Sequence, residues 1–271
     1  MNIVITGAGG VLCSAFSRAL AADGHKIALL DLNLEAAERE AEGIRKAGGK
    51  AIAVQANVLD KESLKKAHDI VLEKFGPCEV LINGAGGNNP KGTTTSEYFS
   101  KEDMLDENAR SFFDLDQYGV SFVFNLNFLG TLLTTQAFAA DMLETGGCIV
   151  NISSMNAFTP LTKIPAYSGA KAAVSNFTQW LAVHFANCNI RVNAIAPGFF
   201  ATNQNRTLLF NEDGSLTPRS HKIISQTPMG RFGEPEELLG TLRFLIDNDA
   251  SGFVTGITIP VDGGFSAYSG V

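Results

Sequence analysis

Tyr167 and Lys171 stand four residues apart in Tyr167-Ser168-Gly169-Ala170-Lys171, so on a helix they share one face. An ammonium beside a phenol favours the phenolate, which moves a tyrosine toward the range useful for proton transfer. The same lysine can hold a ribose hydroxyl. Ser154 lies 13 residues upstream, just past the apolar run Cys148-Ile149-Val150-Asn151-Ile152. If that run is a strand of a parallel sheet, its carboxyl end is where such sheets bind ligands. A Tyr-x-x-x-Lys pair by itself is more often a solvated helical face. The upstream serine and a glycine turn near the N-terminus make chance a poor explanation.

That turn is Thr6-Gly7-Ala8-Gly9-Gly10-Val11-Leu12-Cys13, directly after Ile3-Val4-Ile5. Glycines between a strand and a helix let backbone N–H groups approach a pyrophosphate, assisted by the helix dipole. Many tight turns hold glycine without a nucleotide, so position within a strand–helix–strand unit carries the weight. Asp31 follows Gly7 by 24 residues and closes the second apolar run. A carboxylate there can accept bonds from adenosine ribose hydroxyls and repels a 2′-phosphate, which favours NAD(H) over NADP(H). The competing reading is a helix cap before Asn33-Leu34-Glu35.

The elements that must position these groups are legible as alternation. The apolar runs Ile3–Ile5, Ile27–Leu30, Ala51–Val54, Val80–Ile82, Cys148–Ile152, Arg191–Ile195 and Ile257–Ile259 read as strands. Helices are expected at Leu12–Asp23, Leu34–Ala47, Lys61–Phe75, Phe122–Glu144 and Pro165–Ala186. Continuous apolar strands alternating with helices predict a doubly wound α/β fold: one Rossmann-type domain with a parallel sheet of about seven strands. Residues 88–119 and 199–232 lack strand character and read as insertions on the substrate side.

Of the 271 residues 45% are hydrophobic, enough for one full core. A net charge of −7 argues against nucleic acid as a partner. The apolar runs fall short of a membrane span, and no basic leader with a cleavage site opens the chain, so a cytoplasmic protein is expected. Cys13, Cys78, Cys148 and Cys188 are far apart and read as reduced thiols. His25, His68, His184 and His221 lack metal-ligand spacing, so no metal is expected.

Thr6-Gly7, Asn83-Gly84-Ala85-Gly86, Asn127, Ser154, Tyr167, Lys171 and Pro197-Gly198 through Thr202, with Val261-Asp262-Gly263-Gly264 at the end, resemble in order the motifs of short-chain dehydrogenases/reductases. The resemblance implies that Tyr167 is the general acid/base and that Ser154 bonds the reacting oxygen. It implies that Lys171 tunes Tyr167 and binds ribose, and that Asn127 holds a water linking Lys171 to solvent. Thr202 would bond the nicotinamide carboxamide, and Asn83 would shape the strand end beside the cofactor. The dinucleotide would lie along Thr6, Gly7, Gly9, Gly10, Val11, Leu12, Asp31, Asn57, Val58, Asn83, Gly84, Ala85, Pro197 and Gly198. The family usually has glycine where this chain has Val11 and Cys13, so two side chains are expected to crowd the helix entrance. Asn57 stands where the family usually has an aspartate near the adenine.

Gly86-Gly87-Asn88-Asn89-Pro90-Lys91, Phe112-Phe113-Asp114-Leu115-Asp116, Asn151 through Phe158 and Pro197 through Arg206 resemble a narrower branch, the D-mannonate oxidoreductases (fructuronate reductases). That branch interconverts D-fructuronate and D-mannonate with NAD(H). Asn88, Asn156 and Asn203 offer amides for sugar hydroxyls, while Lys91, Lys163 and Arg206 offer cations for a carboxylate. Asn-rich loops are also ordinary turn chemistry, and surface cations are ordinarily solvated. A gluconate-like acid or a polyol is the alternative substrate, and a non-catalytic dinucleotide-binding regulator is the alternative of another class. Trp180 and the small residues Gly169, Ala172, Ala173 and Asn176 on the Tyr167 helix suggest close packing there, and the resemblance points to a homodimer or homotetramer.

Overall fold

The computed structural model describes residues 1–202 and 206–270. In chain order the main elements are β1 (Asn2–Thr6), α1 (Val11–Ala22), β2 (Lys26–Asp31), α2 (Leu34–Lys46), β3 (Lys50–Gln55), α3 (Lys61–Phe75) and β4 (Val80–Asn83). There follow α4 (Gln117–Phe124), α5 (Gly130–Phe138), β5 (Gly147–Ile152), α6 (Pro165–His184) and β6 (Ile190–Pro197). The chain ends with α7 (Arg206–Leu209), α8 (Pro218–Ser225), α9 (Leu239–Ile246), α10 (Asn248–Ser251) and β7 (Thr258–Val261).

The seven strands form one parallel sheet in the order β3-β2-β1-β4-β5-β6-β7. Alternation along each strand sends side chains to opposite faces. Ile3 and Ile5 of β1 join Phe16 and Leu20 of α1 and Leu242 and Leu245 of α9 on one face. Val4 joins Phe138 of α5, Met142 just beyond it and Leu181 of α6 on the other. Both faces are thus covered, which is why the strands read as unbroken Val/Ile/Leu runs. The strand order reverses between β1 and β4, and the carboxyl ends there open a crevice suited to a ligand.

One expectation needs correction. The helix expected at Phe122–Glu144 begins earlier, at Gln117, and is interrupted by one wide π-turn over Asn125–Leu129 before α5. An extra residue in a turn rotates a side chain off the regular face, and such turns concentrate at functional sites. Here the displaced residue is Asn127. The stretch at 88–119 holds three short 3-10 turns and the start of α4, and that at 199–232 holds α7 and α8. No helix among the described residues is long and apolar enough to cross a membrane.

Candidate active site

The glycine turn after β1 is shaped by close approaches. Gly7 adopts a left-handed conformation, and a Cβ on it would lie 2.9 Å from the Cα of Ala85. A Cβ on Gly9 would lie 2.7 Å from that of Ala36, and the Gly9 N–H donates to Asp31 Oδ2 at 2.9 Å. Asp31 Oδ1 accepts the Asn33 N–H at 2.8 Å. The cap of α2 is Asn33, whose side chain accepts from Ala36. The alternative reading of Asp31 as the helix cap is therefore corrected: its carboxylate stays at the mouth of the turn.

Gly10 precedes α1, whose first turn carries neither an acidic residue nor a side-chain cap. The N-terminal N–H groups thus keep their capacity for an anion. The expected crowding is half corrected. Val11 and Leu12 are half-buried at the entrance, but Cys13 is buried in the core, and its Sγ lies 2.2 Å from where a Gly84 Cβ would sit. Thiol and absent side chain are complementary, and the sulfur leaves the entrance clear.

Thr6 Oγ1 accepts the N–H groups of Gly84 and Ala85, at 3.1 and 3.2 Å, joining the ends of β1 and β4. Asn57 caps its own loop, accepting from Leu59 N–H, while Val58 is buried against Gly130. Asn83 turns into the sheet instead of lining the crevice. Its Nδ2 donates to Thr135 Oγ1 (3.1 Å) and Asn151 Oδ1 (2.8 Å), and Asn151 passes a bond to Thr178. This buried chain ties β4 and β5 to α5 and α6. Pro197 ends β6, and the Gly198 N–H donates to Val261 O at 2.9 Å. A Cβ on Gly198 would meet the Asp262 backbone at 2.6 Å. Thr202 lies half-buried beyond it.

Ser154, Tyr167, Lys171 and Asn127 come together at the carboxyl ends of β4 and β5. Ser154 is buried directly after β5 and starts a 3-10 turn, its Oγ accepting the Asn156 N–H at 3.3 Å. Its hydroxyl also bonds the Tyr167 phenol. Lys171 is only 4% exposed. Its Nζ donates to the Ile152 carbonyl at 2.8 Å and lies 5.6 Å from the centroid of the Tyr167 ring. Asn127 is fully buried: Nδ2 donates to Gly87 O and Val123 O, and Oδ1 accepts from Gly87 N–H. A Cβ on Gly86 would lie 2.6 Å from Asn127 Oδ1 and 3.1 Å from Lys171 Nζ, so glycine is required for these two to flank the same point. Sequence reasoning placed Gly86 in a motif without this role. Ser153 was missed outright; it holds the Lys171 backbone carbonyl at 3.1 Å and Ser175 Oγ at 2.7 Å.

The electrostatics depart from expectation. Burial pushes the Tyr167 phenol above its usual value, opposed by the Ser154 hydrogen bond. Burial also pulls Lys171 down to about 8. The lysine points at Ile152 O, over the face of the ring, so it does not acidify the phenol as the spacing alone suggested. For the phenol, desolvation outweighs the Ser154 hydrogen bond.

The substrate-side residues are less convergent. Asn88 is exposed and bonds Thr93 Oγ1; Lys91 is exposed, its carbonyl accepting from Asp116. Asn156 is buried with Oδ1 lacking a partner among the described residues. Lys163 is half-buried before α6. Arg206 is exposed and stacks over Phe210 at 5.4 Å. Asn203 lies outside the described residues.

A family model described as enoyl-(acyl carrier protein) reductase matches residues 8–266. An uncharacterized oxidoreductase of Haemophilus influenzae is 62% identical over 270 residues, covering 99% of this chain and 94% of its own. An uncharacterized oxidoreductase of Bacillus subtilis, UxuB, is 54% identical, covering 99% and 95%. A crystal structure from Haemophilus with bound NAD, provisionally assigned as a D-mannonate oxidoreductase, superposes with a TM-score of 0.95 at 61% identity, covering 99% of this chain and 96% of that one.

Proposed function

The chain belongs to the short-chain dehydrogenase/reductase family, an NAD-dependent oxidoreductase acting on an alcohol group, and from that premise we propose that it reduces a keto sugar acid, D-fructuronate to D-mannonate, reversibly. The residues fit the dinucleotide. Gly7 and Gly9 let the turn close against Ala85, Ala36 and Asp31, where a Cβ would clash, the first turn of α1 keeps its N–H groups for the pyrophosphate, and the Asp31 carboxylate stands at the mouth of that turn. Val11, Leu12, Pro197, Gly198 and Thr202 would flank it. When bound, the nicotinamide supplies or takes up the hydride.

The remaining chemistry belongs to this chain. In reduction Tyr167 donates its proton to the ketone oxygen, and its raised pKa keeps that proton in place until substrate arrives. Ser154 donates to the same oxygen. Lys171, its amine held by the Ile152 carbonyl, would hold ribose. Asn127, fixed by Gly87 and Val123, orders the route by which the proton is replaced. Lys163 and Arg206 would meet the carboxylate, with Asn88, Lys91, Asn156 and Asn203 reading hydroxyls. A homodimer or homotetramer in the cytoplasm completes the reading.

The observation that carries the chemistry is the convergence of Ser154, Tyr167 and Lys171 on one strand end. The sugar acid rests on the segments around Asn88, Asn156 and Arg206 and on the likeness to the NAD-bound Haemophilus structure. NADH oxidation over D-fructuronate, its C3 and C5 epimers and 5-ketogluconate tests it. D-fructuronate should give the highest kcat/KM by at least tenfold; equal rates across the panel, or 5-ketogluconate leading, would discard the assignment.

A further inference from the structure

The end of β5 is joined to α6 residue by residue. Asn151 and Ser153 project to the α6 side of the sheet, while Ile152 sends its side chain into the opposite core and offers α6 only its carbonyl. Asn151 Nδ2 donates to Thr178 Oγ1 at 2.9 Å, and the Ile152 carbonyl accepts from Lys171 Nζ at 2.8 Å. Ser153 Oγ donates to the Lys171 backbone carbonyl at 3.1 Å and bonds Ser175 Oγ at 2.7 Å. A hydroxyl has one proton to give, so Ser175 is the donor between the two serines. Ser154 bonds the Tyr167 phenol. Each residue from 151 to 154 thus holds the helix, and strand numbers rise as helix numbers fall from 178 to 167.

Apolar packing alone does not set that register. Leu181 and Ala182 of α6 meet Ile149 and Val192 of the sheet through non-directional contacts, which change little when a helix slides by a fraction of a turn. Hydrogen bonds are short and directional, and a fully buried set of them specifies one arrangement. Ser153 is the rung most firmly seated at its own end. Its N–H donates to Ile195 O of β6 at 2.8 Å, and the residue is buried. Lys171 is therefore held twice, its amine by Ile152 and its peptide by Ser153. The first hold fixes the tip of a long flexible side chain. The second fixes the backbone of the turn that also carries Tyr167.

We propose that Ser153 is a positioning residue for the proton transfer, fixing where along β5 the helix carries Tyr167 and Lys171. It acts through the Lys171 peptide and not on the reacting oxygen. The inference rests on Tyr167 as the proton donor but not on the identity of the sugar acid. Ser175, half-buried on α6, acts through Ser153. Without the Ser153 hydroxyl it can turn to the Lys171 carbonyl four residues back in its own helix, a bond that ties nothing to the sheet.

The test compares Ser153→Ala, Ser175→Ala and the double variant with wild type. Hydrogen exchange needs no substrate and comes first. Amides of residues 167–175 should exchange about five- to tenfold faster in Ser153→Ala, the effect of one lost buried hydrogen bond, while those of 178–184 keep the wild-type rate. Kinetics follow with NADH and D-fructuronate, or whichever keto acid of the panel above wild type reduces fastest. In Ser153→Ala kcat should fall about tenfold, with KM and the NADH Kd within about twofold of wild type, because binding is kept and alignment is lost. Ser175→Ala should lower kcat by less than about threefold, and the double variant should match Ser153→Ala, since one residue acts through the other. Unchanged exchange over 167–175, or exchange raised equally along the whole helix, would overturn the positioning role. So would a loss that falls on KM with kcat intact, or losses that multiply in the double variant. Wild-type protein that reduces none of the keto acids would discard the sugar-acid reading, and the exchange rates would still decide whether Ser153 sets the register.

Discussion

Lys171 is a cation placed almost entirely out of water with a neutral carbonyl as its partner, and the molecule bears a cost for that. Its folded pKa of about 8 lies below the value of a free lysine, so the native state favours the neutral amine. The penalty is full below pH 8 and fades as pH rises toward 10.5, where the unfolded chain also gives up its proton. A displacement of this size is worth about 3 kcal/mol at neutral pH. Replacing Lys171 with Met should therefore raise the Tm at pH 7 by roughly 5–10 °C. The same change should lower kcat by about two to four orders of magnitude. The gap in Tm between variant and wild type should close as the melts move from pH 7 to pH 10. A variant less stable than wild type at pH 7, or a gap that widens with pH, would show that burial is not what depresses this lysine. Tyr167 is the complementary case: burial holds its proton on, which suits a group that must give it up only to a bound ketone.

Between residues and fold lie the junctions of elements, and here the sequence was least legible. Ser154, Tyr167 and Lys171 could be found because proton transfer demands particular side chains at a spacing the helix imposes. Cys13 could not, since whether a third-position side chain in α1 faces the crevice or the core depends on what stands opposite on β4. Opposite stands Gly84. How Asn83 shapes the strand end could not be read either: strand register sends its side chain into the buried chain through Asn151 and Thr178. The π-turn at Asn127 was invisible because Phe122–Leu133 is apolar nearly all round, so the phase shift of about 100° from one extra residue leaves no mark. The Cys13–Gly84 fit makes a measurable claim. Gly84→Ala would thrust a methyl 2.2 Å from the thiol and 2.7 Å from Thr6 O, so it should cost about 1–3 kcal/mol. Cys13→Gly removes the nearer obstacle. The double variant should recover part of that loss in urea midpoints, an interaction of at least about 0.5 kcal/mol. Strict additivity would mean the two positions do not share one volume.

At the scale of the whole molecule the sheet and its two covered faces followed from alternation alone, because a strand buried on both sides has no option but continuous apolar side chains. The outer surface follows a different rule. One side of α6 buries Val174, Thr178 and Leu181, while its other side presents Trp180 and Val183, 56% and 80% exposed. Phe177, Trp180 and His184 stack along that side, and Phe128 from the π-turn packs edge-on against Phe177. A contiguous aromatic stripe on the helix that carries Tyr167 and Lys171 is costly to hydrate. A second copy of the chain, presenting the same stripe about a two-fold axis, would cover it self-complementarily. Sedimentation should therefore find wild-type protein at a multiple of its 28.9 kDa chain mass. Trp180→Glu combined with Val183→Glu puts four like charges into a two-fold contact, and should shift the protein to monomer with native circular dichroism. Because the stripe and the proton-transfer pair share one helix, the monomer should also lose activity more than it loses NADH affinity. A wild-type monomer at micromolar concentration, or a double variant that keeps its mass, would leave the stripe without this occupant.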